Sequence, residues 1–146
     1  MVRLQAEPFD PGALLSAFAA DRSETGAVVS FTGLARAGQG DVDRLVLEAY
    51  PGFTDAEIAR IAGAARARFS LQDVLVVHRI GEIAPGEAIV FVATAASHRR
   101  KAFEAAAHLM DYLKSRAPFW KKELGPGGER WIEPTAQELE DAARWA

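Results

Sequence analysis

The sequence predicts an α+β fold on three observations. From residue 44 the periodicity runs strand, helix, strand, strand, helix, strand, the split βαβ order of an α+β sandwich. Asp73 to Ile80 (DVLVVHRI) and Glu87 to Thr94 (EAIVFVAT) are dense in β-branched residues and are joined across Pro85-Gly86, a hairpin-type connection. Two long stretches repeat their apolar residues at the helical interval. At 146 residues the chain is the size of one ordinary domain, and no repeat, low-complexity tract or long linker divides it, so residues 1–146 read as a single domain.

Each element has its own signal. Asp10-Pro11 is an N-cap and first-turn pair, and Leu14, Leu15 and Phe18 follow at helical spacing, giving a short helix to about Ala20. Gly26 to Thr32 (GAVVSFT) reads as a buried strand, and Gly33 to Asp43, with three glycines and few apolar anchors, as a mobile surface loop. Arg44 to Ala49 is a strand. Thr54 with Glu57 forms a capping box, after which Ile58, Ile61, Ala62, Ala65 and Phe69 continue one apolar face of a long helix. Ser97 is placed to cap a second long helix that Pro118 must end near Arg116. Trp120 to Glu123 and Glu129 to Glu133 flank Gly125-Pro126-Gly127-Gly128, which predicts a terminal hairpin. Thr135 with Glu138 is a further capping box and opens a short last helix.

Composition narrows the function. Hydrophobic residues make up 49% and charged residues 25%, which excludes a disordered or coiled-coil chain. No apolar stretch approaches the roughly 20 residues needed to cross a bilayer, and the N-terminus has no signal-peptide core, so neither membrane association nor export is expected. The absence of cysteine rules out disulfides, thiolate metal ligands, persulfide relays and cysteine nucleophiles, so any sulfur chemistry needs imported sulfur. The net charge of −3 is uneven. Between His98 and Lys122 seven basic residues stand against Glu104 and Asp111, a local +5 that leaves −8 for the rest of the chain. That acidic remainder, and the lack of an aromatic RNA-stacking motif, disfavour a nucleic-acid partner, whereas the basic cluster suits a local anion or an acidic protein surface.

Ser97-His98-Arg99-Arg100-Lys101 puts its basic groups in the first turn of a helix, where the macrodipole is already positive. A bound phosphate or carboxylate reverses that penalty, while side chains fanning into water are the alternative. Lys114 lies at the end of the same helix, where the negative pole welcomes any lysine. Lys121 follows Pro118-Phe119-Trp120, a stiff stretch able to press a lysine against a pocket wall and lower its pKa; a solvated Lys121-Lys122 pair reads equally well. Arg36 in the glycine-rich loop is either a ligand clamp or a solvated side chain. His78, His98 and His108 have no metal-ligand spacing, and His78 in a strand reads most simply as a packed residue.

Five segments together resemble one family. Phe31-Thr32-Gly33-Leu34-Ala35-Arg36, Leu47-Glu48-Ala49-Tyr50-Pro51-Gly52, Val77-His78-Arg79-Ile80-Gly81, Ser97-His98-Arg99 and the run from Met110 to Glu123 (MDYLKSRAPFWKKE) look like the MoaE family, the large catalytic subunit of molybdopterin synthase. The likeness covers nearly the whole chain in order. It differs at Ala49, where members often carry His, at Phe53, where they carry Met, and in the 37–43 loop, which lacks their Asn-rich character.

The resemblance implies a fold of the α/β-hammerhead type, with a mixed or antiparallel sheet packed by two long helices. It implies a sulfurtransferase of molybdenum cofactor biosynthesis that adds two sulfurs to cyclic pyranopterin monophosphate. The sulfur would come from a small ubiquitin-like subunit carrying a C-terminal Gly-Gly thiocarboxylate, docked at each end of a homodimer to make a heterotetramer, with no metal or organic cofactor. Position by position, Lys114 and Lys121 match the family's active-site lysines, and His98 and Arg99 its substrate-contacting pair. Arg36 with Leu34 and Ala35 matches its substrate loop, and Lys122 and Glu123 fall in its binding segment. The competing expectation is a non-catalytic module that docks an acidic ubiquitin-like partner or an anionic ligand.

Overall fold

The two most apolar runs of the chain become neighbouring central strands. In the computed structural model, which describes residues 1–38 and 40–145, β4 (Asp73–Arg79) and β6 (Ala88–Ala96) pair antiparallel, with Val76 opposite Val92 and His78 opposite Val90. The N-terminal β1 (Val2–Gln5) adds parallel to β4, and β2 (Ala27–Leu34) adds antiparallel to β6, giving the order β1-β4-β6-β2. Alternation sorts the two faces. Val74, Val76, Val90 and Val92 pack under α2 (Thr54–Arg68) and α3 (Arg99–Ser115) with Ile58, Ala62, Ala65, Ala105 and Leu109. Leu75, Val77, Phe91, Ala93 and Ala95 face Phe18 of α1 (Pro11–Ala19).

The run predicted as split βαβ does not form one sheet. Because β1 and β2 occupy both edges beside β4 and β6, β3 (Arg44–Ala49) and β7 (Phe119–Gly125) pair with each other in a second sheet. That sheet has the order β5-β3-β7-β8, with β5 (Gly81–Ile83) contributed by the connection between β4 and β6 and β8 (Gly128–Ile132) by the terminal hairpin. A third cluster, Ala35, Leu45, Leu47, Ile83 and Ile89, joins the sheets. α4 (Ala136–Ala143) packs back on α3. None of the described helices is long and apolar enough to cross a membrane.

Element types follow the sequence closely, and the local differences have physical reasons. β2 is an edge strand, so its outer residues Ser30, Phe31 and Thr32 are exposed instead of buried, and it extends to Leu34. Only the loop beyond it is irregular, and Gln39 within the predicted loop lies outside the described residues. Ser97 does not cap α3: His98 is the N-cap, with no side-chain hydrogen bond, and the Ser97 hydroxyl accepts from Gln72 Nε2 instead. Thr54 is the first residue of α2, fully buried, and its hydroxyl accepts from the Tyr50 amide at 2.8 Å and donates to the Pro118 carbonyl at 2.9 Å. The Thr135 box forms as expected. At the hairpin, Gly125 is required by close approach, since a Cβ there would lie 2.0 Å from the Asp41 carbonyl oxygen.

Candidate active site

Where the two sheets meet the C-terminal end of α3, a cleft of about 180 Å³ opens. Its apolar walls are Leu47 and Phe119 from the second sheet, Ile89 and Val90 from β6, and Met110 and Leu113 from α3. Into this apolar setting project Lys114 and Lys121. Lys114 occupies the last turn of α3, where a cation complements the carbonyl pole. Lys121 is fixed differently: strand alternation puts Phe119 and Lys121 on one face of β7, opposite Ala49 and Leu47 of β3. Phe119 stacks on His78, with centroids 4.3 Å apart, which anchors the strand at the cleft floor. Burial, and secondarily the positive charge of Lys114, hold the Lys121 pKa below the usual lysine value, while Glu138 and Glu123 oppose that shift. A half-buried Lys121 and an exposed Lys114 therefore face one space that a small anion can enter.

Of the residues the sequence singled out, Leu34, Lys114 and Lys121 line the cleft. Ala35 is buried beside it, its amide bonded to the Glu87 carbonyl at 2.9 Å, and Arg36 follows as an exposed residue past the rim. Lys122 is turned to the opposite face of β7, where it pairs with Glu129 at 3.5 Å and sits over the Trp131 ring. Glu123 shares the Lys121 face but is held by Arg130 at 2.6 Å and does not reach the lining. His98 and Arg99 are exposed at the other end of α3. Arg99 and Lys114 are fifteen positions apart, about 22 Å along the helix, so one chain does not bring this pair to the lysines.

Sequence reasoning missed part of the lining. His78, Ile132, Glu133, Pro134 and Glu138 all face the cleft. The last four arrive through the turn from β8 into α4, and the capping-box pattern that marks Glu138 carries no sign of the space its side chain borders. His78 carried no signal of a site role beyond its place in an apolar strand and in one of the five family-like segments. Among the described residues, no group of three or more His, Cys, Asp and Glu is arranged to hold a metal ion.

Comparison with known proteins identifies the family. The family model described as MoaE protein matches residues 4–116. The molybdopterin synthase catalytic subunit of Caulobacter vibrioides is 69% identical over 145 residues, covering 99% of this chain and 97% of the relative. Among solved structures, the molybdopterin biosynthesis MoaE protein of Burkholderia ambifaria superposes with a TM-score of 0.84 at 42% identity, covering 99% of this chain and 97% of that one. Molybdopterin synthase of Staphylococcus aureus gives 0.79 at 27% identity, covering 89% and 95%. A family model over more than three-quarters of the sequence, and near-complete overlap with relatives of this identity, establish that the chain belongs to the MoaE family.

Proposed function

We propose that this chain is the catalytic subunit of molybdopterin synthase, moving two sulfur atoms from the thiocarboxylate tail of a small ubiquitin-like subunit to cyclic pyranopterin monophosphate. The observation that carries the reading is the convergence of Lys114 and Lys121 on one apolar-walled cleft. A thiocarboxylate entering it exchanges water for two ammonium groups in a medium of lower dielectric, where each charge interaction is stronger. The sulfur is then held as a nucleophile against the pterin side chain, and the lysine charges stabilise the oxyanion that develops as the carbon–sulfur bond forms; water then cleaves the acyl carbon–sulfur bond, leaving the sulfur on the pterin and the partner's tail as a carboxylate. With no cysteine in the chain, sulfur must arrive on the partner.

The phosphate needs a second cationic site, and His98 with Arg99 at the start of α3 supplies it. No acid lies in the first turn of that helix and its N-cap makes no side-chain hydrogen bond, so its amides are free for an oxyanion. Because that site and the lysine cleft lie at opposite ends of α3, a working centre combines the lysines of one copy with His98 and Arg99 of another. The chain therefore functions as a homodimer with one small subunit at each end. This reading makes it a cytoplasmic enzyme.

The test is reconstitution. Purified chain, thiocarboxylated small subunit and the pterin substrate should yield molybdopterin, and omission of the thiocarboxylate should abolish it. Binding of the small subunit without product would instead mark a docking module.

A further inference from the structure

One cleft residue has no part in the scheme above. His78 ends the row Val74, Val76, His78 on the α3-facing side of β4, with 6% of its surface exposed. A carbonyl oxygen only accepts, so the 2.8 Å contact between Nδ1 and the Arg79 carbonyl puts the ring proton on Nδ1 and leaves Nε2 a lone pair. Phe119 stacks on the ring at an interplanar angle of 24°, so backbone and aromatic face together fix its orientation. Nε2 has no hydrogen-bond partner among the described residues. It is not sealed off either, since His108 Nδ1 is the one fully buried side-chain polar atom there without a partner. Nε2 therefore opens on the cleft.

Lys121 leaves the same face of β7 as Phe119, two residues on, lines the same cleft as this imidazole and acts on it through its charge. Its ammonium has no hydrogen-bond partner of its own among the described residues. A partly buried donor and a fixed acceptor, both unpaired, border one small space.

We propose that His78 is a positioning residue for sulfur transfer: its imidazole, locked as the Nδ1–H tautomer, offers Nε2 as the acceptor that the Lys121 ammonium takes up as the thiocarboxylate enters, a hydrogen bond the two groups do not make in this structure, and so holds that charge at the point of entry. The proposal rests on the role given to Lys121 under the proposed function. Burial, aided by the charges of Lys114 and Lys121, lowers the His78 pKa to about 4, so the ring is an acceptor throughout the neutral range. The charged groups facing it across the cleft are Lys114 from α3, Lys121 from β7, Glu133 after β8 and Glu138 from α4.

His78→Asn keeps a donor near the Nδ1 position and deletes the acceptor at Nε2, whereas His78→Gln returns an amide oxygen close to Nε2. In the complex with thiocarboxylated small subunit, the Asn variant should lose about tenfold or more in kcat with KM for the pterin changed less than about twofold. Its alkaline limb of kcat should move to lower pH, because an ammonium that has lost its acceptor gives up its proton earlier. The Gln variant should recover most of both. Wild-type kcat and pH profile in His78→Asn overturn the proposal, as does a lower kcat with an unmoved limb and no recovery in His78→Gln. Long-range proton–nitrogen correlation on the unmutated complex must show the Nδ1–H tautomer, and an Nε2–H ring overturns the proposal whether or not the variants fold. Full turnover in Lys121→Ala would instead overturn the reading of the site, a separate result from inert His78 variants beside an inactive Lys121→Ala.

Discussion

Folding disfavours the charged forms of both Lys121 and His78, and that is measurable apart from catalysis. Because the folded Lys121 has a lowered pKa, the unfolded chain binds more protons between that value and the usual 10.5, and stability rises with pH across the window. At neutral pH its charge is a local cost, so Lys121→Met should unfold at an equal or higher urea midpoint than the parent, with the difference shrinking towards pH 10.5. Turnover in the same variant should fall about 100-fold or more, and Lys121→Arg should not restore it, since the guanidinium is a differently shaped cation. His78 has the same sign in a lower window. The unfolded imidazole takes up a proton below 6.5 whereas the folded ring resists until about 4. Stability should therefore fall as pH drops through that interval, by at most about 3 kcal/mol. His108, whose pKa burial also lowers, adds to the slope, so the check is the difference in urea midpoint between parent and His78→Gln, which should narrow from pH 6.5 downward. The lysines were legible as candidates because they sit in a distinctive motif. His78 was not, because its tautomer is set by a backbone carbonyl and a stacking ring from a strand 41 positions away in sequence.

Among the elements, types and limits were mostly written in local pattern, and pairing was not. Thr54 and Thr135 carry the same spacing to a glutamate, yet only Thr135 closes a capping box. The difference is tertiary: the Pro118 carbonyl, 64 residues away, takes the Thr54 hydroxyl and draws the start of β7 onto the start of α2. β1 escaped notice because four residues with mixed burial carry little periodicity, and it is recruited by the free edge of β4. Thr54→Val keeps the shape and removes both hydrogen bonds, leaving the part-buried Tyr50 amide and Pro118 carbonyl without their hydroxyl partner, for an expected loss of about 1–3 kcal/mol by urea denaturation. Thr135→Ala, which opens an exposed cap, should cost only about 1 kcal/mol. Since Pro118 precedes Phe119, the Thr54 variant should also lower turnover through Lys121, and the Thr135 variant should not to the same degree.

For the whole molecule, the α+β class was readable from element order, but the division into two sheets was not, because it depends on which strands already fill the edges beside β4 and β6. That division creates the lysine cleft at one end of α3 and leaves His98 and Arg99 at the other. If each centre draws on two copies, inactive variants of the two ends must complement one another. A dimer with Arg99→Ala in one copy and Lys121→Ala in the other has one centre with neither residue and one with both. Random re-association of equal amounts makes half the dimers hybrid, so about a quarter of parental turnover should return. Each variant alone should remain folded, dimeric by light scattering and competent to bind the small subunit, since both side chains sit at the surface or cleft rim. If mixing restores nothing while hybrids are demonstrably present, the two basic sites do not meet across copies, and His98 and Arg99 leave the catalytic centre.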